Sequence, residues 1–292
     1  MRYALGGTGI WDAALRFGDP GEAADCAAEI EELGYAAVWV PDTGGDLFGS
    51  LDNLLAKTRG ITVASGVLNL WMQDPTESAA RYRELVAEYG RRVLVGIGVS
   101  HAPIINQLTE PGKFTRPLAS MRAFLDALDA APVPLPAEDR VLAALGPKML
   151  ELARDRAAGA HPYLVSPEHT ADARAALGPG PLLAPEQGVV LEADPDRARE
   201  IARGKLSVYF GLPNYVNNWK RYGFTDADIT GGGSDRLVDT LVAWGDEDAI
   251  AARVRQHRDA GADHVCVQVL TEREGTESFP REQWRRLAPA LL

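Results

Sequence analysis

Short apolar runs alternate with helix-patterned stretches along the whole chain, and this alternation restricts the fold more than any other feature. The runs are residues 3–5, 35–40 (YAAVWV), 61–67 (ITVASGV), 92–98 (RVLVGIG), 140–146 (RVLAALG), 161–165 (HPYLV), 188–193 (GVVLEA) and 263–270 (DHVCVQVL). They are β-branched and apolar without strict polar alternation, the pattern of strands covered on both faces. Helical spacing occupies 20–33, 50–58, 75–90, 117–130, 147–159, 167–177, 195–206, 246–262 and 280–292. Eight β/α units in 292 residues fit a (β/α)8 barrel better than a doubly wound sheet, read as one domain over 1–292.

The junctions support this reading. DPGE (19–22) and DPTE (74–77) place Asp at a helix N-cap, Pro at the first helical position and Glu at the third, an aspartate form of the capping box. GPKM (146–149), SPEH (166–169) and DPDR (194–197) start helices in the same way. All but the first follow an apolar run directly, so these turns belong at strand C-terminal ends, the face that carries active sites in barrels. Two connections are long: 101–116 after the fourth strand, and 205–234, rich in aromatics and amides, between the seventh and eighth. Such insertions are expected to be lids, site walls or plain structural additions.

A formal net charge of −11 without a basic cluster argues against nucleic acid or an anionic membrane as a partner. The N-terminus lacks the build of a signal peptide, and no apolar run reaches the ~18 residues of a membrane helix. Cys26 and Cys266 stand far apart inside apolar patterns and read as buried, reduced thiols. A soluble, cytoplasmic protein acting on small molecules is the expectation.

The stretch RRVLVGIGVSH (91–101) contains Gly96 and Gly98 but lacks the third glycine of a dinucleotide turn, and it lies on the fourth strand instead of the first. Glycines closing a barrel strand would instead let a flat molecule approach the backbone. A Schiff-base lysine is not indicated, since none of Lys57, Lys113, Lys148, Lys205 and Lys220 ends a predicted strand. No H-x-H pair suggests a metal site, and Asp42 and Glu192 are the obvious strand-end acids. Among the histidines, His257 reads as surface, and His161 and His264 read as barrel-bottom residues. His101 and His169 fall on the catalytic face, with His101 the candidate proton donor, or else a loop residue packing the lid.

The set ASGVLNLWMQDPTESAARY…LVAEYGRRVLVGIGVSH, with EIEELGYAAVWVPD, VLAALGPKMLELA, HPYLVSPEHTADARAALGP, LAPEQGVVLEADPDRAREIAR and AGADHVCVQVL, resembles the bacterial luciferase-like superfamily across essentially the whole chain. The branch it most resembles uses the deazaflavin coenzyme F420. The resemblance implies a hydride-transferring oxidoreductase and a homodimer. It implies a strand-three bulge with a cis peptide at Gly66–Val67 against the cofactor ring, with Asp42, Gly98, Ser100 and Gly146 beside it. It also implies a cofactor phosphate after strands five and six, where Ser166, Pro167, Glu168 and His169 offer N–H groups and a helix dipole. The Ser166 hydroxyl would bond the phosphate or cap its own helix. Trp11 and Trp71 would line an apolar substrate pocket or fill core. Val99 replaces the acid, and Thr43 the histidine, found in the sugar-phosphate dehydrogenase branch, which leaves the substrate open. An FMN-dependent monooxygenase and a non-catalytic flavin-binding protein are the competing readings.

Overall fold

The computed structural model describes residues 5–109, 112–272 and 278–292. Ten strands form one sheet: β1 Thr8–Trp11, β2 Ala37–Val40, β3 Thr62–Asn69, β4 Val93–Gly98, β5 Arg140–Leu142, β6 Gly159–Ala160, β7 Leu182–Leu183, β8 Glu186–Val190, β9 Val242–Trp244 and β10 Val265–Val269. Every recorded pair is parallel, in the order β7-β6-β5-β4-β3-β2-β1-β10-β8-β9. β7 and β8 are one barrel strand interrupted at Ala184–Pro185. On one side Ala184 and Glu186 donate N–H to the carbonyls of Ala160 and Pro162; on the other Cys266 donates to Pro185. The sheet thereby closes on itself as a (β/α)8 barrel. Proline is tolerated there because its missing N–H falls between the two ladders.

The first strand lies at 8–11, not 3–5; residues 3 and 4 fall outside the described residues. Gly9 breaks its apolar pattern for a steric reason: a Cβ there would lie 2.6 Å from His264 Nε2 and 2.8 Å from the Ala37 carbonyl. The fifth strand stops at Leu142, the sixth ends at Ala160 before His161, and the seventh begins before 188. β9 was not expected; it pairs with β8 beyond the helix-rich insertion. The long connection after β4 is partly helical, Ala102–Leu108.

The N-caps form as the sequence predicts. Asp19, Asp74 and Asp194 accept from Glu22, Glu77 and Arg197 N–H, each with Pro at the first helical position. The reciprocal arm of a capping box, however, is recorded only at Thr225–Asp228. No helix among the described residues is long and apolar enough to cross a membrane.

The core has two shells. The outer one packs Ile10, Val38, Val63 and Val95 against the surrounding helices. The inner one, in the barrel lumen, holds Trp11, Trp39, Ala64, Leu94 and Cys266. A third cluster, with Leu164, Leu212, Tyr215, Trp219 and Leu270, lies under the second insertion. Cys26 and Cys266 are both buried free thiols. At β6 the strands approach so closely that a Cβ on Gly159 would meet the Leu182 carbonyl oxygen at 1.8 Å. Gly159→Ala is expected to cost at least about 3 kcal/mol, read by urea denaturation, because backbone and not a flexible side chain would have to move.

Candidate functional site: the barrel mouth

The C-terminal ends of the strands build two unlike walls. The first comes from β3, β4 and β5. β3 shifts register between Ser65 and Leu68, and the Gly66–Val67 peptide is cis. Trp11 Nε1 donates to the Gly66 carbonyl at 3.0 Å, and the Ser65 hydroxyl donates to the Gly96 carbonyl at 2.9 Å. The Val67 side chain then fills the hollow left by two glycines. Its Cγ1 lies 3.1 Å from where a Gly96 Cβ would be, and its Cγ2 lies 2.3 Å from that of Gly98. The glycines of the GIG stretch are therefore filled from inside the protein, which corrects the expectation that a flat ligand lies on them. The surface offered outward is that of Gly66, Val67, Val99 and Ala143, all part-exposed.

The opposite wall is polar. Asp12 follows β1 and accepts Ala14 N–H at 2.6 Å; burial pushes its carboxyl up to about 7. From β10, Gln268 accepts the Tyr163 hydroxyl at 2.7 Å, and Tyr209 donates to Tyr163 at 3.3 Å. Glu186 of β8 lies beneath them, pushed up to about 8 by burial. Sequence reasoning missed Asp12 and Glu186 because it misplaced the starts of the first and seventh strands. A charged residue inside the run LLAPEQGVVL was the available signal. Glu192, a predicted strand-end acid, instead pairs outward with Arg197 at 3.5 Å.

Beneath both walls stands a column of rings. His264 donates through Nδ1 to the Gly6 carbonyl at 3.1 Å and accepts Trp39 Nε1–H at 3.2 Å. Trp39 stacks on His161 at 4.4 Å, so His161 lies within the lumen and not at its bottom. His161 donates through Nδ1 to the Ala184 carbonyl at 2.7 Å. His257 is not a surface residue. It is buried between the Thr170 hydroxyl at 2.8 Å and Gln187 Oε1 at 2.9 Å, on a helix whose polar pattern concealed the contact.

The other predicted residues separate into rim and scaffold. His101 is half-buried at the rim, its Nδ1 3.0 Å from Asn214 Oδ1 and its ring 5.2 Å from Tyr215; burial lowers its basicity. Ser100 beside it takes φ 53°. Asp42 is buried and ties two loops together, accepting Asn69 N–H and Gln73 Nε2–H at 3.0 Å each. Trp71 donates to the Val99 carbonyl at 2.6 Å and packs against Phe114. Trp11 is the pin under the bulge. Ser166 caps its own helix, accepting His169 N–H at 3.4 Å. His169 is buried and donates through Nε2 to the Leu145 carbonyl at 2.9 Å. Pro167 and Glu168 line an exterior groove with Arg236 and Arg253. Gly146 opens toward Arg221, whose guanidinium reaches the Leu145 carbonyl at 3.5 Å. Arg221 comes from the second insertion, and sequence spacing could not bring it to the start of the helix Pro147–Arg156.

Two expectations follow. Gly98→Ala would drive a methyl group into Val67 and cost about 1–3 kcal/mol by thermal or urea melting, with Val67→Ala in the same chain recovering part of the loss. His161, His169 and His264 are held neutral by burial, pushed down to about 4, and His257 to about 3. In the unfolded chain they charge near pH 6.5, so their stabilisation is complete above that value and lost as pH falls toward 4. Between about pH 7 and pH 5 denaturant titration should show a loss of about 1–2 kcal/mol per buried histidine.

The family model described as luciferase-like monooxygenase matches residues 5–264. Among solved structures, an F420-dependent secondary alcohol dehydrogenase in complex with an F420-acetone adduct superposes with TM-score 0.74 at 14% identity, covering 98% of this chain and 99% of that one. A coenzyme F420-dependent tetrahydromethanopterin reductase from Methanopyrus kandleri gives TM-score 0.77 at 17% identity, with 99% of each chain covered. The oxygenating constituent of 3,6-diketocamphane monooxygenase from Pseudomonas putida, in complex with FMN, gives 0.65 at 13% identity, covering 98% and 97%.

Proposed function

Because the chain belongs to the luciferase-like monooxygenase family, we propose that it is an oxidoreductase that binds coenzyme F420 at the barrel mouth and exchanges hydride with an organic substrate. The observation that carries the reading is the bulge wall: Val67, locked over Gly96 and Gly98, presents a flat apolar face beside Ala143. That face suits one side of a planar ring. At its edge Gly146 has no atom nearer its Cβ position than Arg221 at 3.8 Å, leaving room for the ring's phosphate-bearing side chain. Ser166, the start of the helix Pro147–Arg156 and Arg221 would hold the phosphate, by N–H donation and by charge. When bound, the deazaflavin supplies the hydride chemistry.

The protein orients the ring against Val67, excludes water from that face and manages protons. His101 is the rim candidate for this last task. Its Nδ1–H is given to Asn214, which leaves Nε2 available to hold or release a proton. Glu168 and His169 are left out of the proposed set, one facing the exterior groove and the other committed to Leu145. Two of the superposed proteins are F420-dependent and support the deazaflavin; the FMN complex makes FMN the competing cofactor.

Calorimetry against coenzyme F420, FMN and NADPH tests the reading. Binding of F420 is expected, weakened about tenfold by Arg221→Ala, equivalent to ~1.4 kcal/mol. Binding of FMN alone, with substrate-coupled oxygen consumption, would replace it with a monooxygenase. His101→Ala should leave F420 affinity nearly unchanged and slow oxidation of reduced F420 by a panel of carbonyl compounds about 10²-fold or more. Unchanged rates would remove His101 from proton handling.

A further inference from the structure

Glu186 points into the barrel from β8, in register with Cys266 on β10, and is 1% exposed. Its Oε2 accepts the Leu164 N–H at 3.1 Å, whereas Oε1 has no partner among the described residues. Leu164 holds φ 53°, a conformation leucine rarely adopts, and its carbonyl accepts from Trp219 Nε1 at 3.4 Å. The surrounding packing thus fixes an unfavourable backbone, a circumstance typical of functional sites. The donor it aims at Glu186 is a product of that geometry.

The ionisable groups facing the carboxyl are Tyr163 after β6, Tyr209 and Tyr215 from the insertion, Cys266 from β10, and Lys205 from the end of the helix Pro195–Leu206. Lys205 also acts on Asp12 and forms no recorded ion pair with Glu186. A carboxylate served by one N–H in such surroundings is heavily penalised, so Glu186 keeps its proton near neutrality. Its Oε1–H is then a buried donor without an acceptor, a rarity that calls for a ligand group or water. Tyr163 and Tyr209 keep partial exposure beside it.

We propose that Glu186 is a specificity-determining residue, whose neutral carboxyl donates a hydrogen bond from Oε1 to an uncharged oxygen or nitrogen acceptor on the substrate. The proposal rests on the reading of the barrel mouth given above and deepens it by naming the substrate class. Neutral acceptors are taken, and carboxylates or phosphates are refused at the reacting end. Lys205, the cation that acts on both Glu186 and Asp12, forms no recorded ion pair with either, and Arg221 lies on the other rim, so an anion would be desolvated here without a paired counter-charge.

Infrared spectroscopy of the full chain, wild type against Glu186→Gln, tests this with benzaldehyde and benzoate as neutral and anionic probes of one shape. Gln preserves an acceptor for Leu164 N–H and a donor for the probe, and thermal melting checks that the variant is folded. The wild type should show a protonated-carboxyl band that the variant lacks and that benzaldehyde shifts. Benzaldehyde affinity should fall about tenfold between about pH 7 and pH 9 in the wild type and stay level in Glu186→Gln. A missing band near pH 7, a band that benzaldehyde leaves in place, or equal binding of benzoate would overturn the assignment. If neither coenzyme binds in calorimetry while benzaldehyde still shifts the band, the cofactor reading fails and Glu186 keeps its role.

Discussion

The site depends on the seating of Val67 in the hollow above Gly96 and Gly98. A bulge frees a strand from its ladder and has to be held by something other than the ladder. Here β4 supplies a receptor without side chains, and Trp11 holds the Gly66 carbonyl from across the lumen. Three strands thus converge on one peptide. The packing is mutual: Gly98 is compulsory because Val67 is there, Gly96 because the Ser65 carbonyl oxygen occupies the place of a Cβ, and Val67 is held because both positions lack side chains. Rigid support of this kind is what a binding face requires, since a wall that yields gives up orientation.

Much of the architecture was legible in the sequence, and the misreadings have identifiable causes. Alternating apolar and helical segments, with Asp-Pro and Ser-Pro starts, lead to the barrel and to the face that bears the site. Local chemistry sufficed there, because an N-cap and the proline after it are neighbours in the chain. β1 was displaced because Gly9, which makes room for His264, weakens its hydrophobic pattern. That one displacement moved Trp11 out of the lumen and hid Asp12. His257 looked exposed because its burial depends on Thr170 and Gln187, 87 and 70 residues away. The two glycines of GIG were recognised as special, but what they accommodate is a shift in another strand's register. Single-sequence periodicity carries no record of that.

The lumen achieves neutrality with ionisable residues. His161 and His264 are uncharged, each giving its Nδ1–H to a carbonyl; burial pushes the Glu186 carboxyl up to about 8; and burial pushes the Tyr163 and Tyr215 hydroxyls well above the ordinary range and Tyr209 in the same direction. Groups that could carry charge in water have been desolvated into hydrogen-bond donors and acceptors of fixed direction. Such a lumen holds a fixed pattern of hydrogen-bonding directions with little charge. It contrasts with the exterior, where Arg199, Arg203 and Arg236 are paired with aspartates in the solvent-screened manner of a surface.

Arg221 belongs to the insertion helix Pro213–Arg221, yet its guanidinium touches the carbonyl just before Gly146, and its neighbour Tyr222 donates to Asp172 on the helix that Ser166 caps. An anion lodged between Gly146 and Ser166 would therefore be shared by barrel and insertion. Thermodynamic reciprocity then applies: whatever such a ligand gains from Arg221 is returned as added order in the segment that carries it. Sequence drift within the insertion, far from any ring or reacting atom, could thus retune affinity by changing how much freedom there is left to lose.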